Sequence, residues 1–196
     1  AERPVIYTGG GVILANAAPE LNAFVDALGY PCVNTLMGLG GCRADNPNYL
    51  GMPGMHGMYE ANMAMQNSDV IIAIGARFDD RVIGNPKHFG SVHRKIIHID
   101  IDPSSISKRV RADVPIVGDV KEVLTDMLAQ LAEIKERADA TKMAKWWAQI
   151  NEWKSIDCLA YDRESELVKP QYVIETLHRL NHGDAFITSD VGQHQM

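Results

Sequence analysis

The sequence predicts an α/β protein with a doubly wound, mostly parallel β-sheet flanked by helices. Three observations support this fold class. Short apolar runs of strand length alternate with stretches of helical period over the first two thirds of the chain. The apolar runs are nearly continuous, which is typical of parallel strands buried on both faces. Glycine-rich or acidic turns follow several of these runs, where the carboxyl ends of parallel strands bind ligands.

The predicted strands are apolar runs bounded by Gly, Asp, Asn or Pro, and they cover residues 5–8, 31–34, 70–74, 96–101 and 114–117. Helical patterns cover residues 18–28, 59–66 and 120–137, with a short turn after Pro103. This βαβα order predicts the doubly wound sheet, because parallel neighbours need crossover connections.

The pattern changes after residue 137. Met143, Trp146, Ile150 and Trp153 recur at helical spacing and predict a helix with one apolar face. A charged stretch follows, and Pro170 then begins a further helix over residues 171–180, with strand character at 185–189. We therefore expect a nucleotide-binding domain over 1–137, a linker helix and linker over 138–169, and the start of another domain over 170–196. The chain is expected to be a piece of a longer protein.

Composition excludes several classes of function. The 196 residues are 46% apolar, and 19 Lys and Arg against 25 Asp and Glu give a net charge of −6. This acidic balance lacks the basic patch of a nucleic-acid binder. No apolar run approaches the ~20 residues that span a membrane. Cys32, Cys42 and Cys158 have no paired spacing, which argues against a disulfide framework or zinc site and favours a reducing, cytoplasmic location. No metal site is predicted.

Three glycines, Gly9, Gly10 and Gly11, directly follow the first predicted strand. Glycines there let a phosphate group approach bare backbone N–H groups, beside the start of a helix. No complete G-x-G-x-x-G motif is present, so a plain tight turn is an equal alternative.

A second candidate segment, Gly75-Ala76-Arg77-Phe78-Asp79-Asp80-Arg81, follows the third predicted strand. Its two guanidinium groups could bracket a pyrophosphate, while the carboxylates orient them or bind ribose hydroxyls. A surface network of ion pairs is the alternative.

Acidic residues end the fourth and fifth predicted strands. Asp100 stands where dinucleotide folds bind ribose hydroxyls, whereas Asp102 could cap a short helix beginning at Pro103. Asp119 is either a ligand contact or the N-cap of the long helix, and its spacing favours the cap.

Two further segments are candidates. Residues 51–58 form a Gly- and Met-rich loop that could run beside an aromatic ring system, with His56 bonding to a carbonyl; ordinary packing of the methionines is the stronger alternative. Residues 190–195 follow a predicted strand and so lie in a ligand-binding position. No arrangement of a nucleophilic centre is evident.

These segments together resemble the large catalytic subunit of the acetolactate synthase (acetohydroxyacid synthase) family, which depends on thiamine diphosphate. The matching segments span almost the whole chain: GGG at 9–11, TLMGLG at 35–40, GMHG at 54–57, YEANMAM at 59–65, GARFDDRV at 75–82, IHIDIDP at 97–103, KPQYVIETL at 169–177 and SDVGQHQM at 189–196. Met58, Ile83 and Pro53 depart from the residues expected there.

The resemblance implies a central domain that binds FAD, followed by the start of the thiamine-diphosphate-binding domain. The residues it places around FAD are Gly9, Gly10, Gly11, Thr35, Leu36, His56, Gly57, Gly75, Ala76, Arg77, Asp79, Arg81, Asp100, Ile101, Asp119 and Val120. It places Gly192, Gln193 and His194 near the thiamine cofactor, and Asp80 and Arg81 near a substrate and inhibitor channel.

The implied reaction of the whole enzyme joins pyruvate to pyruvate or 2-ketobutyrate with loss of CO₂, using thiamine diphosphate and Mg²⁺ with FAD in a structural role. No catalytic residue or metal ligand of that reaction falls in this chain, so the piece alone is expected to be inactive. The family forms dimers or tetramers, often with a small regulatory subunit. The alternative is an NAD- or ADP-binding domain, or a ligand-free scaffold, from another thiamine-diphosphate enzyme such as a glyoxylate carboligase or pyruvate oxidase.

Overall fold

A computed structural model describes residues 1–134 and 139–192 of the chain. Two compact units cover Ala1–Ile156 and Asp157–Met196. The first unit contains the sheet and the candidate site, and the second contains one helix and its flanking loops.

The sheet of the first unit has five parallel strands in the order β2-β1-β3-β4-β5. The strands are β1 (Pro4–Thr8), β2 (Cys32–Asn34), β3 (Val70–Ile74), β4 (Lys95–Asp100) and β5 (Val114–Val117). In the register, Ile6 of β1 lies opposite Cys32 of β2 on one side and Ile72 of β3 on the other. The predicted parallel α/β fold is therefore confirmed.

The described residues contain eight α-helices, of which the last lies in the second unit. They are α1 (Gly10–Leu14), α2 (Ala18–Leu28), α3 (Tyr59–Asn67), α4 (Asp80–Ile83), α5 (Pro86–Ser91), α6 (Val120–Glu133), α7 (Ala140–Lys154) and α8 (Pro170–Asn181). A single 3₁₀ turn covers Leu36–Gly38. None of the described helices combines the length and apolar character that crossing a membrane requires.

Helices cover both faces of the sheet, which makes the fold doubly wound. On one face, Leu21 and Phe24 of α2 and Leu124 of α6 pack against Ile6 and Ile99. On the other face, Ala61 and Met65 of α3 and Trp146 and Ile150 of α7 join Tyr7 and Ile71. Alternate residues of β1 thus enter different cores, as the period of a strand requires.

Helix α7 belongs to the first compact unit, although the sequence assigns its residues to a linker. The indole N–H of Trp146 donates to the carbonyl oxygen of Pro4 at 3.1 Å, and that of Trp147 donates to Gly29 at 3.0 Å. Trp146 is buried, so the apolar face that the sequence predicts for this helix packs on the sheet domain.

Two expectations about strands are wrong. Burial on both faces holds for β1 but fails for β5, where Val114 and Val117 are exposed, although β2 at the other edge of the sheet is buried. The strand predicted at residues 185–189 does not form, because no strand is described in the second unit to pair with it.

The boundaries of several helices also differ from those predicted. Helix α6 ends at Glu133, with Ile134 as its C-cap, and residues 135–137 of the predicted helix lie outside the described residues. Helices α4 and α5 are too short to show a hydrophobic period, and the sequence does not predict them; for α1 it predicts only the start of a helix beside the three glycines.

The second unit is built around α8. Arg163 pairs with Glu175 at 2.8 Å, and the hydroxyl of Tyr161 donates to the same carboxylate at 2.7 Å. No residue of α8 is buried, and Tyr172, Val173, Ile174, Leu177 and Leu180 are exposed.

Candidate cofactor site

The strand order creates a switch point between β1 and β3. From β1 the chain crosses to β2 on one side, whereas β3 lies on the other side and continues to β4. Loops after β1 and β3 therefore diverge at the carboxyl edge of the sheet. In open α/β sheets this divergence opens the crevice where ligands bind.

Backbone contacts between the two loops fix the floor of this crevice. The N–H of Gly9 donates to Ile74 at 3.0 Å, and that of Gly11 donates to Gly75 at 3.1 Å. A Cβ on Gly9 would lie 2.3 Å from the carbonyl oxygen of Gly75, so no larger residue fits there. The glycines are needed for close packing of two loops, in addition to any role toward a ligand.

A pocket of about 140 Å³ opens at this edge. Six residues that the sequence assigns to cofactor binding line it: Gly11, Gly75, Asp100, Ile101, Asp119 and Val120. They come from four separate strand ends, so the fold alone brings them together. Leu14 and Ala15, which the sequence does not single out, complete the lining.

The carboxylates of the pocket already hold backbone groups. Asp100 is buried and accepts the N–H of Asp102 at 2.9 Å. Asp119 accepts the N–H groups of Lys121 and Glu122 at 2.9 and 3.3 Å, which makes it the N-cap of α6. The capping role predicted for Asp119 is therefore present, and the same side chain also faces the pocket.

The acidic residue just beyond β4 has a local role. Asp102 accepts hydrogen bonds from the N–H and hydroxyl of Ser104, and these bonds lower the pKa of its carboxyl group. A turn, rather than a helix, follows Pro103. Asp102 therefore accepts hydrogen bonds at the start of this segment, as predicted for a cap, but the segment is a turn and not the short helix that the sequence predicts.

Phe78 anchors the loop between β3 and α4. Its backbone has φ of 54°, a left-handed value that is strained for an aromatic residue, and its side chain is only 1% exposed. The ring packs against Tyr7, with ring centres 5.2 Å apart, and edge-on against His98 at 5.3 Å. Burial of Phe78 leaves its neighbours Arg77 and Asp79 at the surface.

The charged groups of this loop form local contacts. Asp79 caps α4 by accepting the N–H of Arg81 at 3.0 Å, and this bond is the main reason that the pKa of Asp79 is lowered. Arg77 lies 3.9 Å from Asp79 with a largely exposed side chain. Within the described residues, neither guanidinium group hydrogen-bonds to residues 9–11. Both remain available to a ligand at the surface.

Two buried polar atoms lie beneath the loop without partners among the described residues. One is the hydroxyl of Tyr7, whose pKa is raised by burial. The other is Nδ1 of His98. Because Nε2 of His98 faces the carbonyl oxygen of Ala76 at 2.9 Å, Nε2 must carry the hydrogen of the neutral ring. Burial also lowers the pKa of His98.

The segment with Thr35 and Leu36 lies against the glycine loop. The N–H of Thr35 donates to Thr8 at 2.8 Å, and the hydroxyl of Thr35 accepts the N–H of Gly38 at 3.2 Å. Gly38 packs on the backbone of Gly9. Leu36 is exposed, so the segment presents an apolar side chain at the same edge.

The loop with His56 and Gly57 contacts α4 instead of the pocket. The N–H of Met55 donates to the carbonyl oxygen of Arg81 at 2.9 Å. Asn62 holds both the N–H and the carbonyl of Gly54, at 2.7 and 2.9 Å. His56 is exposed. The loop therefore joins Asp80 and Arg81 in a second patch, linked to the pocket by residues 75–79.

The remaining predicted residues lie at the end of the chain. Gly192 is the last described residue, and Gln193 and His194 lie outside the described residues. In residues 1–134 and 139–192, no three His, Cys, Asp or Glu side chains are grouped closely enough to hold a metal ion.

The sequence interpretation missed Phe78, which positions the loop, and the pocket residues Leu14 and Ala15. A phenylalanine between charged residues in a surface loop is a signal for the first, because an apolar ring there needs a buried site. The sequence gives no such signal for Leu14. It lines the pocket because α1 ends at this residue, and the end of so short a helix cannot be predicted from the sequence.

The comparison with protein families gives one match. Residues 1–127 match the model of the thiamine pyrophosphate enzyme central domain. The matched range covers all five strands and helices α1 to α5, together with the start of α6.

Known proteins similar to this chain are named as acetolactate synthases. The Escherichia coli acetolactate synthase isozyme 3 large subunit is 52% identical over 196 residues, which is 100% of this chain and 34% of that protein. The Haemophilus influenzae acetolactate synthase large subunit is 46% identical over 100% of this chain and 34% of its own length. A probable acetolactate synthase large subunit of Methanocaldococcus jannaschii is also 46% identical, over 100% of this chain and 33% of its own length. The chain thus spans about a third of the length of these relatives.

Proposed function

Since the chain belongs to the family of thiamine pyrophosphate enzyme central domains, we propose that it is the FAD-binding central part of an acetolactate synthase large subunit. FAD binds, in this proposal, along the carboxyl edge of the sheet. The pocket that gathers six of the predicted residues from four strand ends is the observation that carries the proposal.

The chemistry of the pocket, and of Gly10 and Arg77 in the loops that border it, suits the adenosine and diphosphate part of FAD. Asp100 offers a carboxylate to ribose hydroxyls at the end of β4, as in dinucleotide folds. Among the described residues, the N–H of Gly10 donates to no protein acceptor, so it is available to a phosphate oxygen. Arg77, with its exposed guanidinium group, supplies the opposing positive charge.

The size of the pocket sets a limit on what it encloses. Cavities that bury a whole ligand measure about 300–1,000 Å³, whereas this one measures about 140 Å³. The pocket therefore takes only part of FAD, and the rest lies across the surface beside exposed apolar side chains such as Leu36 and Met37. In this proposal FAD has a structural role and undergoes no net redox change.

The activity of the whole protein is part of the same proposal. It joins two 2-keto acids, pyruvate with pyruvate or 2-ketobutyrate, with loss of CO₂, using thiamine diphosphate and Mg²⁺ bound mainly outside this chain. Asp80 and Arg81 line the substrate channel, and Gly192, Gln193 and His194 approach the thiamine cofactor. Proteins named as acetolactate synthases align with the whole length of this chain at 52% and 46% identity, which supports this assignment.

The organisation of the whole protein follows from that assignment. Residues 170–196 begin the thiamine-diphosphate-binding domain, after a central domain and a linker. The complete enzyme is a cytoplasmic homo-oligomer, a dimer or tetramer, with a possible small regulatory subunit. The piece itself is inactive.

Calorimetric titration of the 196-residue chain with FAD, ADP, FMN and NAD tests the cofactor assignment. We expect FAD to bind and ADP to compete with it, whereas FMN, which lacks the adenosine part, binds more weakly. Preference for NAD would contradict the assignment and favour another nucleotide-binding domain. Absence of binding by all four would favour a ligand-free scaffold.

Activity measurements on the complete protein test the proposed reaction. We expect the full-length parent to be yellow and to form acetolactate from pyruvate only with thiamine diphosphate and Mg²⁺. The Arg77→Ala variant should lose activity and flavin together. A colourless, fully active parent enzyme would contradict the FAD assignment but leave the reaction intact.

A further inference from the structure

A second cavity opens at the opposite, amino edge of the sheet. It measures about 390 Å³, within the range that encloses a small ligand, and its walls include Glu2, Arg3, Lys142, Lys145, Trp146 and Trp153. The residues that line it precede β1, lie on α7 or end α3. The length of the strands separates them from the carboxyl edge. None of them belongs to the candidate cofactor site.

Hydrogen bonds hold the walls of this amino-edge cavity in place. The carboxylate of Asp69 accepts the N–H groups of Glu2 and Arg3 at 2.7 and 2.9 Å. Nε of Arg3 donates to the carbonyl oxygen of Asn67 at 2.8 Å, and the indole N–H of Trp146 donates to Pro4 at 3.1 Å. The cavity therefore has a fixed frame before any ligand arrives.

The charge of the walls favours an anion. Arg3, Lys142 and Lys145 carry positive charge, and Glu2 is the one acidic residue in the described lining. Glu2 pairs with Lys142 at 2.7 Å, which neutralises one cation. Within the part of the chain that the structure describes, Lys145 has no ion-pair partner. The carboxylate of Asp69, which accepts the N–H groups of Glu2 and Arg3, offsets a second cation, so one excess positive charge remains at the cavity.

The same cavity has an aromatic wall. Trp146 and Trp153 meet edge to face with ring centres 5.6 Å apart, and Trp153 is only half-buried. Lys142, Lys145, Trp146 and Trp153 share one face of α7, so the positive charges stand directly beside the indoles. An apolar body could lie on Trp153 while its charged end meets Lys145.

We propose that the amino-edge cavity binds a small organic monocarboxylate with an apolar or aromatic body. The carboxylate lies between Lys145 and the guanidinium group of Arg3, and the body packs on Trp153. An inorganic anion would use the charge alone, and an uncharged apolar molecule would use the indole alone. The cavity offers both side by side. This inference is independent of the proposed FAD site.

Tryptophan fluorescence of the 196-residue chain tests the proposal, because its three tryptophans all lie on α7. The probes are 3-phenylpropanoate, its neutral amide 3-phenylpropanamide, and inorganic phosphate. We expect saturable quenching by the carboxylate. The amide lacks the negative charge and phosphate lacks the apolar body, and each should bind about fivefold more weakly. Fivefold is the upper end of the range for one exposed charge pair.

Variants at two lysines of α7 locate the site. Lys145→Met should weaken binding of 3-phenylpropanoate about fivefold, and Lys145→Glu should weaken it further. Lys154→Glu makes the same charge change on the same helix but outside the lining, and it should leave binding within about twofold. Both positions are exposed, and circular dichroism checks that each variant is folded.

Four results would overturn the proposal. Quenching that does not saturate shows no site. Equal affinity for the acid and the amide shows an apolar contact without anion recognition, and equal affinity for phosphate shows a cationic patch without an apolar subsite. Equal loss of binding in Lys145→Glu and Lys154→Glu shows a general charge effect.

Discussion

Gly11 and Gly75 pack backbone against backbone at the carboxyl edge of the sheet. The N–H of Gly11 donates to the carbonyl oxygen of Gly75 at 3.1 Å, and a Cβ on Gly11 would lie 2.6 Å from the α-carbon of Gly75. Because these residues follow β1 and β3, their contact fixes the distance between the two loops that border the pocket. We therefore expect stability and the proposed FAD binding to be coupled at this point.

The Gly11→Ala variant tests that coupling. The new methyl group meets backbone that cannot rotate away, so we expect a loss of about 1–3 kcal/mol in the free energy of unfolding, with weakened FAD binding. Urea unfolding and FAD titration measure the two effects. Gly90→Ala is the control, because a Cβ on Gly90 in α5 meets no atom within 4 Å. Equal stability of Gly11→Ala and the wild type would contradict the tight contact.

Tyr7 and Thr8 are adjacent buried residues of β1 with opposite hydroxyl environments. The Tyr7 hydroxyl lacks a partner among the described residues, whereas the Thr8 hydroxyl donates to Asn34. We expect Tyr7→Phe to preserve stability or raise it by up to about 1 kcal/mol, since it removes an unpaired buried group. Thr8→Val should cost about 1–3 kcal/mol, because it removes the hydroxyl donor to Oδ1 of the buried Asn34, whose amide nitrogen still donates to Cys42.

Chemical denaturation of both variants measures this difference. A loss of more than about 1 kcal/mol in Tyr7→Phe would mean that the hydroxyl has a bound partner such as an ordered water.

His98 predicts an acid-dependent loss of stability. Burial lowers its pKa in the folded protein below the ordinary 6.5. Between the folded and unfolded pKa values the unfolded chain binds a proton that the folded chain does not, so the free energy of unfolding falls as the pH drops below 6.5. In His98→Gln this part of the pH dependence should vanish, because the amide does not titrate yet can still donate to Ala76.

Unfolding midpoints measured from pH 5 to pH 8 test this effect in the wild type, in His98→Gln and in His88→Gln. His88 is exposed and serves as the control. The same slope for all three proteins would show that His98 does not contribute.

Variants of Asp119 separate two contributions to the stability of α6, the hydrogen bonds of the N-cap and the negative charge near the helix start. Asp119→Ala should lower the free energy of unfolding by about 0.5–2 kcal/mol, because α6 loses its N-cap. Asp119→Asn should change it little, since asparagine caps helices equally well. Thermal unfolding compares them. Equal losses in both variants would show that the negative charge near the helix start, and not the cap, stabilises α6.

Much of the fold was predictable from local patterns. The strands and the longer helices follow from apolar periodicity, and Asp119 and Pro170 mark the starts of α6 and α8. The strand predicted at 185–189 failed because pairing needs a neighbour, which a local pattern does not reveal. Exposure of β5 likewise depends on what packs against the strand, which its own residues do not reveal, since β2 at the other edge of the sheet is buried.

The candidate site was predictable at the level of strand ends. Gly11, Gly75, Asp100 and Asp119 follow different strands, and a parallel sheet must place them at one edge. The sequence carries a signal for the burial of Phe78, but not for its left-handed backbone, which depends on packing with Tyr7 and His98. It also could not divide the predicted residues between the pocket and the second patch around His56 and Arg81.

Location of the bound cofactor is the most direct test of the central claim. Backbone amide signals of the ¹⁵N-labelled 196-residue chain would be followed by NMR during titration with FAD. We expect the largest shifts in segments 9–15, 75–77, 100–101 and 118–120, which contain the eight residues that line the pocket at the carboxyl edge. Shifts confined to other parts of the chain, with these residues unchanged, would contradict the account.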